Sequence, residues 1–84
     1  MHEAKMAQYA MEIIQDAIKS DPSTHGKKVE KITFAQNGPQ MVVPDSFEFY
    51  FSELAKETEL SGAALEFTQS NETGFFVSSI ELED

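Results

Sequence analysis

Met1-His2-Glu3 concentrates more nitrogen donors than any other stretch of this chain: an α-amino group, the His2 imidazole and the neighbouring backbone amides lie within a few bonds of one another. That is what a square-planar site for a divalent metal requires. Taken alone, the tripeptide is a short motif with an ordinary alternative, a chain end whose Glu3 only favours the dipole of the helix behind it by ~0.3–1 kcal/mol. The only other histidine, His25, sits in Asp21-Pro22-Ser23-Thr24-His25-Gly26 and reads as a solvated loop residue rather than a second ligand. Met6 and Met11 read as packing residues, Met41 stays open between packing and soft ligation, and Glu81-Leu82-Glu83-Asp84 reads as a solvated acidic tail. There is no Gly-rich phosphate loop, no cysteine and no recognisable Ser, His and Asp grouping, so no enzyme chemistry is expected.

The scaffold that would carry such a terminus is small. With 84 residues the chain is expected to form one domain, 1–84, near the lower end of what folds without disulfides or structural metals, so homodimerisation would help it. Hydrophobic residues make up 40% and include seven Phe, enough for a core built on phenylalanine. Fifteen acidic against six basic residues leave a formal charge of −9, which disfavours nucleic acid and anionic membrane surfaces. A basic, cationic or apolar partner is expected instead. Without cysteine there is neither a disulfide nor a thiolate zinc site. No apolar run approaches the ~20 residues that span a bilayer, and no signal-peptide pattern opens the chain, which makes the cytoplasm the expected compartment.

Periodicity supplies five elements. From Glu3 to Ser20, apolar residues at Met6, Tyr9, Ala10, Ile13, Ile14, Ala17 and Ile18 follow the spacing of an amphipathic helix. Lys28 to Gln36 changes to alternation, with Ile32 and Phe34 on one face, while Val29 breaks the pattern and is placed before the strand proper. Asn37-Gly38-Pro39 marks a turn. Asp45 with Glu48 three residues later suggests a capping box for a second helix, whose inner face would be Phe47, Tyr50, Phe51 and Leu54. Ala63, Leu65 and Phe67 alternate as a second strand, and Phe75 to Leu82 forms a third. In that last strand Phe75 and Val77 point one way and Phe76, Ile80 and Leu82 the other, which a bulge near Ser78-Ser79 or burial of both faces would explain. The expected fold is α+β: two helices packed on one face of a small three-stranded sheet, in the order helix, strand, helix, strand, strand, with the last two strands paired as an antiparallel hairpin.

These residues resemble the HypA family, nickel metallochaperones of hydrogenase and urease maturation. The likeness begins at Met1-His2-Glu3 and the helix after it, and resumes at Val29 to Phe34 and at Val43-Pro44-Asp45-Ser46-Phe47 with Phe51. It continues through Leu60-Ser61-Gly62-Ala63-Ala64-Leu65-Glu66-Phe67 and closes on Val77-Ser78-Ser79-Ile80-Glu81-Leu82. One departure stands out. The family carries a zinc module with two Cys-x-x-Cys pairs between its last two strands, and here Gln69 to Gly74 bridges that position without cysteine. Asn37-Gly38 likewise replaces the family's Gly-Glu.

The resemblance implies Ni(II) bound through the His2 imidazole and nearby backbone nitrogens, with the terminal amine or a further group completing the plane, so the implied metal residues are Met1, His2 and Glu3. Nickel would be the cargo, no zinc site is expected, and a HypB-like nickel GTPase or a nickel-enzyme component would be the partner. A second function is compatible with the same residues: a metal-free protein-interaction or dimerisation module derived from HypA that no longer delivers nickel.

Overall fold

The computed structural model describes residues 2–39 and 41–83, with His2 described by its main chain. Helix α1 runs His2–Ser20, strand β1 Val29–Asn37, helix α2 Pro44–Ala55, strand β2 Ala64–Gln69 and strand β3 Gly74–Leu82. The expected element order and α+β class therefore hold.

The sheet is mixed, with strand order β2-β1-β3. β1 lies in the middle, parallel to β2 (Phe34 opposite Phe67) and antiparallel to β3 (Ile32 opposite Ile80). This corrects the expected hairpin of the last two strands, which do not pair with each other. The reason lies in burial: β1 buries Val29, Ile32, Phe34 and Gln36 fully on the helix side, whereas the inward residues of β2 and β3 are only half-buried, as befits edges. Residues 38–63, which contain α2, supply the long crossover that a parallel pair demands. The short 70–73 connection then crosses the end of β1 to reach the opposite edge, a distance of about two strand spacings, or ~10 Å, within reach of four extended residues. Its passage is marked by the Ser70 N–H donating to the Gln36 carbonyl at 2.9 Å.

Two bulges reconcile the imperfect alternations. The β1–β3 register shifts between Val29 and Lys31, so Val29 is the first residue of β1 and buried like Ile32, not outside the strand. A second shift between Thr33 and Phe34 lets Thr33 face Ser79 and Phe34 face Val77, leaving Ser78 as the extra residue. Of the two explanations, the bulge is the one present, and it turns Ile80 and Leu82 to the same inner side as Phe75 and Val77.

Phe34 is the centre of the core. Its ring stacks between Phe67 of β2 and Phe75 of β3, at centroid distances of 5.3 and 5.2 Å, and meets Phe47 of α2 edge-on at 5.1 Å. From α1, the buried stripe is Ala7, Ala10, Met11, Ile14 and Ile18. Tyr9 and Ile13, expected on that face, are instead exposed, because the stripe that meets α2 and the sheet is rotated toward Ala7 and Met11. α2 buries Phe47, Phe51 and Ala55, with Tyr50 half-buried and Leu54 exposed rather than inside. Its capping box does not form. Val43 is the N-cap, without a side-chain cap bond, and Pro44 opens the helix, a place its fixed φ and missing N–H suit. Asp45 consequently falls inside the first turn.

The acidic C-terminal stretch is also more structured than a solvated tail. Glu81 and Leu82 belong to β3, and the Glu83 N–H donates to the Lys28 carbonyl at 3.0 Å while Lys28 N–H donates to the Glu83 carboxylate at 3.2 Å. Asp84 lies outside the described residues.

Gly38 shows what the crossing connection demands. It has φ +90°, and a Cβ there would stand 2.8 Å from Thr73 Cγ2. Gly38→Ala is expected to lose about 1–3 kcal/mol in urea unfolding. Adding Thr73→Ser, which removes the clashing methyl, should recover the steric part but not the dihedral part. Wild-type stability in Gly38→Ala would refute the account.

Candidate metal centre

Glu3 lies in the first turn of α1, where main-chain N–H groups have no helical acceptors. Its carboxylate accepts a hydrogen bond from the Val43 N–H at 3.3 Å, forty residues along the chain. Val43 is the extended N-cap of α2, and its carbonyl accepts the Phe47 N–H at 2.9 Å. The neighbouring Val42 is held from a third element: its N–H donates to Gln36 Oε1 at 2.7 Å, and Gln36 Nε2 donates to its carbonyl at 3.2 Å. The start of α1, the end of β1 and the start of α2 therefore meet at Val42-Val43.

The described structure brings the Glu3 side chain of the Met1-His2-Glu3 stretch to this junction. Of the three expected metal residues, Glu3 is placed there by its hydrogen bond to Val43; Met1 and the His2 side chain lie outside the described residues. Among the described residues, no group of three or more His, Cys, Asp or Glu side chains could hold a metal ion. His25 is exposed, as expected of a loop residue, its N–H donating to the Asp21 carbonyl at 3.0 Å. Met11 is buried and Met6 packs on the core, so both serve packing; Met41 is exposed.

Gln36 went unread in the sequence although its signal was present. It continues the inward alternation Ile32, Phe34, Gln36, and a polar side chain on a core face needs partners. At 4% exposure it is a buried polar residue, and its primary amide satisfies both main-chain groups of Val42.

The charged groups resolved elsewhere are structural. Lys31 Nζ pairs with Glu66 at 3.1 Å across β1 and β2, and the Glu66 hydrogen bond raises the lysine above its ordinary range. Gln15 Nε2 donates to Glu59 at 3.1 Å, which holds that carboxyl below the usual carboxylate range. A groove of about 490 Å³ between α1 and β3 is lined by Met6, Tyr9, Ile13, Phe75, Phe76 and Val77. Thioether, phenol and hydrocarbon make it an apolar contact surface without the imidazole or carboxylate ligands of a divalent cation. Among the described residues no helix is long and apolar enough to cross a membrane.

Over residues 1–75 the sequence matches the family described as hydrogenase/urease nickel incorporation, metallochaperone, HypA. The chain belongs to the HypA family. The match covers Met1-His2-Glu3, both helices, the first two strands, the 70–73 connection and the start of β3. No curated protein matches the chain. Membership of the HypA family brings with it nickel handling as a metallochaperone in hydrogenase or urease maturation, a role exercised on protein partners.

Proposed function

We propose that this chain is a HypA-type nickel carrier that holds Ni(II) as cargo at its Met1-His2-Glu3 terminus, through the Met1 amine and the His2 amide and imidazole, and passes it to a protein of hydrogenase or urease maturation, such as a HypB-like nickel GTPase. The observation that carries the reading is the HypA match running through Met1-His2-Glu3. Covalent geometry supports it. Through two intervening atoms the Met1 amine and the His2 amide nitrogen close a five-membered ring on a metal. Through three, the same amide and Nδ1 of the His2 imidazole close a six-membered ring. Three nitrogens linked in this way would suit the tetragonal preference of Ni(II), and Cu(II) would bind the same donors more tightly, so selectivity rests on supply. The free N–H groups of a helix's first turn carry no hydrogen bond that a metal would have to displace.

In the described structure β2 and β3 are joined by residues 70–73, which hold no cysteine. We take the domain to be the nickel-holding half of a HypA protein, acting as a carrier rather than an enzyme.

Calorimetric titration of untagged protein with Ni(II) should show one site per chain. His2→Ala should abolish it, and a residue added before Met1, which converts the α-amine to an amide, should weaken it strongly. Because the amine, the imidazole and the ligating His2 amide must all shed protons, binding should fall as pH drops from about 8 to 6.5. No binding, or binding unchanged in His2→Ala, would sink the site.

The apolar groove between α1 and β3 favours one further reading, a HypA-derived module that docks on a maturation protein without carrying metal. A complex that survives both chelation and His2→Ala would support it. Loss under both would favour the carrier.

A further inference from the structure

We infer that Glu3 is a positioning residue, whose carboxylate ties the first turn of α1 to the N-cap of α2 and so fixes the main chain that presents the nickel donors, instead of coordinating the metal. The nickel part of this inference rests on the function proposed above; the positioning part does not.

Three observations support it. The Glu3 carboxylate is already engaged, accepting the Val43 N–H at 3.3 Å. Its acceptor fills a gap there, because the N-cap N–H has no intrahelical partner and the N3 position, from which a capping-box Glu or Gln would reach back to it, is Ser46. One carboxylate thus stands beside the starts of two helices, α1 and α2, where a negative charge is favoured by both dipoles. The anchor it grips is itself immobilised, since Gln36 holds both main-chain groups of the adjacent Val42 from within the core. Glu3 is therefore bonded to a fixed point one residue past His2, and a carboxylate recruited to the metal would have to release it.

The test uses the whole untagged chain and two substitutions. In metal-free protein, Glu3→Ala should speed amide exchange at Val43 by about three- to tenfold, the worth of one partly exposed hydrogen bond. Val42, held by Gln36, should stay protected. Glu3→Gln, which keeps an acceptor oxygen but is a poorer metal ligand, should restore Val43 protection.

In Ni(II) titrations Glu3→Ala should bind about three- to tenfold more weakly, while Glu3→Gln should retain wild-type affinity and the wild-type visible spectrum of the bound ion. The inference is overturned by unchanged Val43 exchange in Glu3→Ala. It is equally overturned if Glu3→Gln weakens nickel as much as Glu3→Ala and alters the spectrum, the behaviour of a lost ligand. If wild-type protein binds no nickel, the proposed carrier function fails, and the Val43 exchange still decides the role of Glu3.

Discussion

Phe34→Ala is expected to lose about 3–5 kcal/mol in chemical denaturation, a large part of the 5–15 kcal/mol that holds a typical domain together. Phe34 is fully buried and stands on the central strand, with rings from β2, β3 and α2 around it. Removing it leaves a void that Phe67 and Phe75 can close only by moving the strands that carry them. Those strands are paired to β1 on either side, so the collapse that softens such losses elsewhere is restricted here. Phe49→Ala provides the comparison: 62% exposed, it should change stability by no more than about 0.5 kcal/mol. If the two variants melt alike, the placing of the core on Phe34 is wrong.

The second large effect is expected at Gln36. Gln36→Leu fills the same space but strands the N–H and carbonyl of Val42, a residue 3% exposed, without their partner. Leaving each such group unpaired costs ~1–3 kcal/mol, partly offset by the leucine's own burial, so a net loss of about 2–4 kcal/mol is expected. Faster exchange of the Val42 amide should accompany it.

Gln36→Glu gives the same site a pH signature. An ionised carboxylate can accept the Val42 N–H but repels the Val42 carbonyl, whereas the protonated acid can donate to it. Burial and that carbonyl both raise the carboxyl's pKa in the folded protein above its unfolded value of ~4.3. The folded state then binds the proton more tightly. Stability should be greatest below pH ~4.3 relative to wild type and should decline as pH rises through the raised folded value. A Gln36→Glu protein whose deficit against wild type is the same at pH 4 and pH 7 would show that the Gln36 amide is not the clamp on Val42.

Much of the candidate site was legible as far as identity and no further. His2 and Glu3 stood out because donor chemistry is a property of residue type and spacing, and the HypA likeness follows from short motifs in a set order. The engagement of Glu3 by Val43 left no trace in the sequence, since its partner is a main-chain N–H that any residue but proline would supply. The misplaced capping box has a related cause. Asp45 and Glu48 fit the local pattern, but Pro44 is as good a helix start, and Glu3 supplies the negative charge from a distant helix.

By itself the sequence determined the five elements, their order and the phenylalanine core, and narrowed the irregularity of β3 to a bulge or burial of both faces, because period, turn residues and inward apolar positions are local consequences of backbone geometry. Tertiary structure decided which strands are neighbours. A polar turn of four residues between two strands fits a hairpin and a crossing over β1 equally well, and the choice is made by which strand buries its inner face most completely. It also decided that Glu3, Gln36 and Val42-Val43 meet, joining residues as far as forty positions apart. Such meetings are set by how the helices pack on the sheet, and no periodicity along the chain encodes them.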